Sequence, residues 1–152
     1  MTKDEFAQKV VGQTDRIYRI AYSMLYNDAD CRDAMQEAAL KAWEKRKSLR
    51  NEEFFSTWLT RILINECKTI LRQRKRIVCS TEELPEQSIL PPDPALSIAL
   101  QQLSEKLRLP LVLHEREGMT YAEIAQVIHV PQSTIVGRIH RAKMQLRKEL
   151  SV

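Results

Sequence analysis

Residues 120–150, TYAEIAQVIHVPQSTIVGRIHRAKMQLRKEL, constrain the fold more than any other stretch, because two helical repeats of apolar residues meet there across a short turn. Thr120 stands three residues ahead of Glu123, the spacing of a capping box, and Tyr121, Ile124, Ala125 and Ile128 follow at helical intervals. His129 and Val130 fill the turn. Pro131 has no amide hydrogen to offer a helix interior but fits a helix's first turn, so a second helix opens between Pro131 and Ser133. Its apolar side is Ile135, Ile139, Ala142, Leu146 and Leu150, while Thr134, Arg138, Arg141, Gln145 and Lys148 lie three and four apart on another side. One side has a core to join and the other can meet phosphates or base edges, as in a helix-turn-helix that enters the major groove of DNA. A solvated hairpin of a helical bundle would carry similar charges, and it stands as the competing reading.

Leucine, alanine, isoleucine, glutamate, lysine and arginine dominate the 152 residues and only three are glycine, a composition that predicts an all-α chain. The length suits one domain or two small ones and leaves no room for a large catalytic fold beside a DNA-reading module. Formal charge is only +4 but unevenly spread: residues 1–76 are net basic, 77–100 hold acids without lysine or arginine, and 101–152 are basic again. Cys31, Cys67 and Cys79 form no CxxC pair, which argues against a disulfide framework, a zinc site and a redox switch. The opening residues, MTKDEFAQK, lack the apolar core of a signal peptide, and no later run could span a bilayer. The expected setting is the cytoplasm, with no membrane insertion.

Residues 4–26 read as the first helical region, with Phe6, Val10, Ile17, Ile20, Ala21 and Met24 as its buried stripe. Tyr18, Tyr22 and Tyr26, four apart, read as the wet edge of that core in preference to a ladder for stacking bases. A second helix from about Asp30 to Lys47 carries Ala34, Met35, Ala38, Ala39, Ala42 and Trp43, and its polar surface is Asp33, Gln36, Glu37, Lys41 and Glu44. KRKSLRNEE at 45–53 breaks the pattern, which Phe54, Phe55, Trp58, Leu59, Ile62 and Leu63 resume. A basic loop beside aromatics suits single-stranded nucleic acid, with cations for phosphates and rings for unstacked bases. Trp58 reads as core, whereas Phe54 and Phe55 fit core and base contact equally. The third helix continues to Arg76, basic and without an acid from Lys68 onward, so its end either meets phosphate or is a solubilising cap.

Ser80 to Pro94, STEELPEQSILPPDP, holds four of the six prolines and no periodic apolar pattern, and reads as a flexible linker. Four short helices are expected from Leu96 to Leu150, with Pro110 imposing a kink or a late start on one of them and Gly118 ending it. His114, His129 and His140 are dispersed and read as cap or surface residues.

These residues resemble a known family, the group IV or extracytoplasmic-function sigma factors, the smallest members of the sigma-70 family. RDAMQEAALKAW at 32–43 looks like the helix of regions 2.1 to 2.2, and WLTRILINECKTILRQRKR at 58–76 looks like regions 2.3 to 2.4. Leu103 to Leu150 resembles region 4, above all in EGMTYAEIAQVIHVPQSTIVGRIHRAKMQLRKEL. Four positions depart from the pattern: Arg32 stands where an acid is usual, Ala39 where a large aromatic is usual, Ser104 in place of a proline, and Pro110 within a normally uninterrupted helix.

The resemblance implies two small helical domains, 1–76 as sigma region 2 and 96–152 as sigma region 4, joined by an acidic, proline-rich linker at 77–95. Asp33, Gln36 and Glu37 would bind the clamp helices of core RNA polymerase. Lys47, Ser48, Leu49, Arg50, Asn51, Phe54 and Phe55, followed on the next helix by Arg61, Asn65, Lys68, Arg72, Arg74, Lys75 and Arg76, would hold the minus 10 element. Ser133, Thr134, Gly137, Arg138 and Arg141 would face the minus 35 major groove, with Lys143, Arg147 and Lys148 nearer its phosphates. The implied partners are core polymerase, promoter DNA and an anti-sigma factor; neither a cofactor nor obligate self-association is implied. The chain would direct promoter-specific initiation without itself making a bond. The competing function is a helix-turn-helix regulator that uses the C-terminal module alone; an independent enzyme ranks last, since no phosphate-binding loop, metal cluster or nucleophile–base pair is present.

Overall fold

The structure, a computed structural model, describes residues 1–78 and 94–151, all of whose regular elements are helical. The chain divides into two compact units, Met1–Glu86 and Gln87–Val152. Most of the expected connector, including Cys79, lies outside the described residues; the helices on either side run to Val78 and from Pro94.

The first unit comprises α1 (Lys3–Gly12), α2 (Thr14–Leu25), α3 (Asp28–Glu44) and α4 (Phe55–Val78), with single 3-10 turns at Arg46–Ser48 and Glu52–Phe54 between the last two. The region expected as one helix over 4–26 is therefore two. It breaks after Gly12, which weakens any helix it sits in, at Gln13, whose side chain instead accepts a hydrogen bond from Ser56 Oγ at 3.0 Å. A capping box of Thr2 and Glu5 starts α1, and Asn27 caps α3 by accepting from the Asp30 amide, which moves that helix earlier than the expected 30–47. Ala34, Ala38 and Ala42 are at most 1% exposed, so α3 can lie close against α4, its most extensive neighbour. Around this contact Ile17, Ile20, Leu25, Leu59, Leu63 and Ile64 form the core. Tyr18, Tyr22 and Tyr26 are half-buried, Tyr22 stacking on Tyr18 and meeting Tyr26 edge-on, and Tyr18 donates its O–H to Asp28 Oδ1 at 2.6 Å, which pushes its phenol up to about 12.

The second unit packs α5 (Pro94–Gln102), α6 (Glu105–Glu115) and α7 (Tyr121–Ile128) against the long α8 (Gln132–Leu150). Pro110 imposes no late start: α6 begins at Glu105 and carries it, fully buried, through the helix interior. Five residues of helix precede the ring, so the lost amide hydrogen bond removes one link from a helix already established. The helix ends at Glu115, short of Gly118, whose left-handed φ of 71° lets the Met119 amide reach back to the Leu113 carbonyl. Arg108, only 8% exposed, fixes α5 on α6 by donating from Nη1 to the Leu103 carbonyl at 2.9 Å and, at 3.4 Å, to those of Leu100 and Gln101. A cation at the end of α5 satisfies carbonyls that have no partner within the helix.

Candidate nucleic-acid interface

Three surfaces carry the residues singled out in the sequence, two on the first unit and one on the second. On α3, Asp33, Gln36 and Glu37 are exposed, on the side opposite the alanine stripe. Leu40, 53% exposed, continues this line at helical spacing and was missed as a surface residue; its distance from Gln36 and Glu37, four and three residues, was the available signal. Lys41 was expected on the same polar surface, but its ammonium donates to Glu66 Oε1 at 2.5 Å across the α3–α4 contact, a hydrogen bond that raises its pKa.

The second surface begins in the loop after α3. Ser48 Oγ donates to the Lys45 carbonyl and Asn51 Oδ1 accepts from the Glu53 amide, so both side chains brace the loop's own backbone. Arg46 lies 3.9 Å over the Trp43 ring and donates to its carbonyl. Lys47 and Arg50 are exposed and Leu49 is half-buried. The two phenylalanines separate. Phe54 is 60% exposed, whereas Phe55 is 5% exposed, edge-on to Phe6 at 5.9 Å and tilted against Trp58. The expectation that Phe55 captures a base is thereby corrected: its ring is part of an aromatic cluster that Phe6 extends to Trp43, and taking it out would open the core.

Along α4, Arg61, Asn65, Lys68, Arg72, Lys75 and Arg76 recur three and four apart and share one side, all exposed except the half-buried Lys68. The single acid of the helix, Glu66, is turned inward to Lys41, so the cationic line keeps its charge. Arg74 departs from that line. It points toward α3 and donates from Nη2 and Nε to Asp30 Oδ2, at 2.5 and 3.1 Å, so here its guanidinium is engaged within the unit.

In the second unit Thr120 and Glu123 form the expected reciprocal capping box on α7. His129 turns the chain with a left-handed φ of 65°, and Pro131 occupies the N-cap of α8. Ile135, Ile139 and Ala142 are buried, and Ser133, His140, Arg141, Arg147 and Lys148 are exposed; Thr134, Gly137 and Arg138 are half-exposed. Lys143 is drawn to α6, 2.7 Å from Glu115 Oε1, and holds that carboxyl below the usual carboxylate range, a half-exposed ion pair within the unit. Two exposed apolar residues on this helix were not singled out from the sequence, Val136 and Met144. Both stand within four residues of a predicted contact and away from the buried line, which was signal enough.

No helix among the described residues is long and apolar enough to cross a membrane, and no group of three or more His, Cys, Asp or Glu among them could hold a metal ion. Comparison with known proteins places the two units in order. Residues 13–77 match the family described as Sigma-70 region 2, and residues 95–146 match Sigma-70, region 4. The chain is 32% identical to the ECF RNA polymerase sigma factor SigW of Bacillus subtilis (strain 168), an alignment covering 97% of this chain and 90% of that protein. It is 30% identical to the RNA polymerase sigma-H factor of Pseudomonas aeruginosa, covering 97% and 87%. Among solved structures, the sigma factor RpoE of Bartonella quintana, in complex with the anti-sigma factor NepR, superposes with a TM-score of 0.82 at 26% identity, covering 97% of this chain and 98% of that one. CnrH, in complex with the cytosolic domain of CnrY, shares the fold at a TM-score of 0.74 and 22% identity, covering 98% and 89%.

Proposed function

The chain belongs to the extracytoplasmic-function group of the sigma-70 family, and from that membership we propose a division of labour between its two units. As a sigma factor it directs RNA polymerase to promoters, and the bond-making chemistry is the polymerase's. The first unit binds core polymerase through the exposed line of Asp33, Gln36 and Glu37 on α3. Its loop and α4 hold the opened minus 10 strand: Phe54 takes an unstacked base, with Lys47 and Arg50 beside it, and Arg61, Asn65, Lys68, Arg72, Lys75 and Arg76 follow the phosphates. The second unit lays α8 in the minus 35 major groove, where Ser133, Thr134, Gly137, Arg138 and Arg141 meet base edges and Arg147 and Lys148 the backbone. The setting is the cytoplasm, where polymerase and DNA are, and the chain works without obligate self-association. The complex of the Bartonella quintana sigma factor RpoE with the anti-sigma factor NepR supports a regulatory partner of that kind here.

The observation that carries this reading is the order of two different nucleic-acid surfaces in one chain, an aromatic and cationic one followed by a helix-turn-helix. A regulator confined to the second unit has no use for the first. Reconstitution with core polymerase tests it: the chain should confer specific initiation from promoters selected by the reconstituted enzyme. Promoter binding without core-dependent initiation on any of them would transfer the chain to the regulator reading.

A further inference from the structure

Val136 is the fifth residue of α8 and is 44% exposed, an apolar side chain in the part of a recognition helix that reaches base edges. Single exposed valines are ordinary on protein surfaces. This one is set among polar and cationic groups, with Ser133 and His140 exposed one turn to either side and Arg138 and Arg141 on the same helix. It has no donor or acceptor for a phosphate, and a β-branched residue is a mediocre choice for an exposed helical position. Its stiffness, however, holds both methyl groups in essentially one rotamer, so little freedom is lost when they are covered. In the major groove the one apolar group a base pair presents is the 5-methyl of thymine. Cations nearby draw the DNA in, and the neighbouring Gly137 has no side chain to hold the duplex away from Val136.

We infer that Val136 is a specificity-determining residue that packs on a thymine methyl in the minus 35 element. The inference rests on the assignment of α8 to that element. It adds an apolar contact to a surface otherwise read through hydrogen bonds and charge.

Deoxyuridine differs from thymidine by this methyl alone and supplies the test. The full chain, assembled with core polymerase, first selects its preferred promoter from a randomised duplex library. Each thymine of the selected minus 35 element, on either strand, is then replaced by uracil. At one position the replacement should weaken wild-type binding about fourfold, the worth of one buried methyl. Val136→Ala should bind the thymine and uracil duplexes equally at that position, and Val136→Ile should retain the preference. The exposed site makes unfolding a minor concern, and circular dichroism of each variant checks it. A selected element without thymine, a wild type indifferent to every uracil, or an alanine variant that discriminates as well as wild type would each overturn the inference while leaving the promoter function intact. A complex that selects no minus 35 sequence at all would instead fail the function itself, and would do so before any uracil is introduced.

Discussion

A Cβ placed on Gly137 would meet only the Arg141 guanidinium, at 3.4 Å, the movable end of a long side chain. Packing within the unit therefore does not require glycine there, although glycine in a helix interior costs roughly 0.5–1 kcal/mol relative to alanine. Gly137→Ala should raise the stability of the second unit by about that amount in urea unfolding and at the same time weaken minus 35 binding, because with α8 in the major groove as proposed the added methyl would face the DNA. Stability gained with binding undiminished would remove close approach to the duplex as the reason for this glycine. Cys31 illustrates the opposite case, a residue held by its own protein. It is fully buried, and burial pushes its thiol up to about 12, so the nucleophilic thiolate is scarce in the folded chain at any ordinary pH. Iodoacetamide at pH 8 should leave both Cys31 and the equally buried Cys67 unmodified until denaturant is added, as read by peptide mass mapping. Rapid labelling of the native chain would restore the redox switch that the cysteine spacing argued against.

Between elements, what could be read from the sequence was what is local. The Thr120–Glu123 capping box, the Pro131 start of α8 and the alanine stripe of α3 each depend on residues within a few positions of one another, and each stands where the spacing put it. The fates of Phe55, Lys41 and Arg74 were not legible, because they are decided by partners far along the chain: Phe6, Glu66 at a separation of 25 residues, and Asp30 at 44. Likewise the side chain of Lys143 is claimed by α6, which no periodicity within α8 announces. Arg74 gives this distinction a measurable form. If α4 meets phosphate along its exposed line, Arg72→Ala should lower the slope of log affinity against log salt by about one, whereas Arg74→Ala should leave the slope unchanged. The Arg74 variant should instead lose up to about 1 kcal/mol of stability, since its ion pair with Asp30 is only partly shielded from water. Anisotropy titrations of the assembled polymerase on labelled promoter, over a range of salt, give the slopes. An equal drop for both variants would mean that the Asp30 pair opens when DNA arrives.

At the scale of the whole chain, each unit has a core of its own, centred on Ile20, Leu59 and Leu63 in the first and on Leu113, Ile124 and Ile135 in the second. Two separate cores do not explain why the units share one chain, so their covalent connection has to be justified by function. On the proposed division of labour, a polymerase-bound first unit would deliver the second to the minus 35 element at an effective concentration set by the length of chain between them, on the order of millimolar for a short linker. Dividing the chain between Glu86 and Gln87 removes that advantage while leaving each core intact. The two halves, added together at micromolar concentration, should each fold and should still show their separate affinities, the first for core polymerase and the second for minus 35 DNA. Run-off transcription from a promoter that depends on both elements should nevertheless fall by about 100-fold or more relative to the intact chain, the lower end of the gain that linkage confers. Raising the concentration of the second half should recover part of the loss, because mass action then replaces the tether. Full activity from the first half alone would show that the minus 35 contact contributes little at that promoter, and full activity from micromolar halves would show that polymerase itself holds the second unit in place.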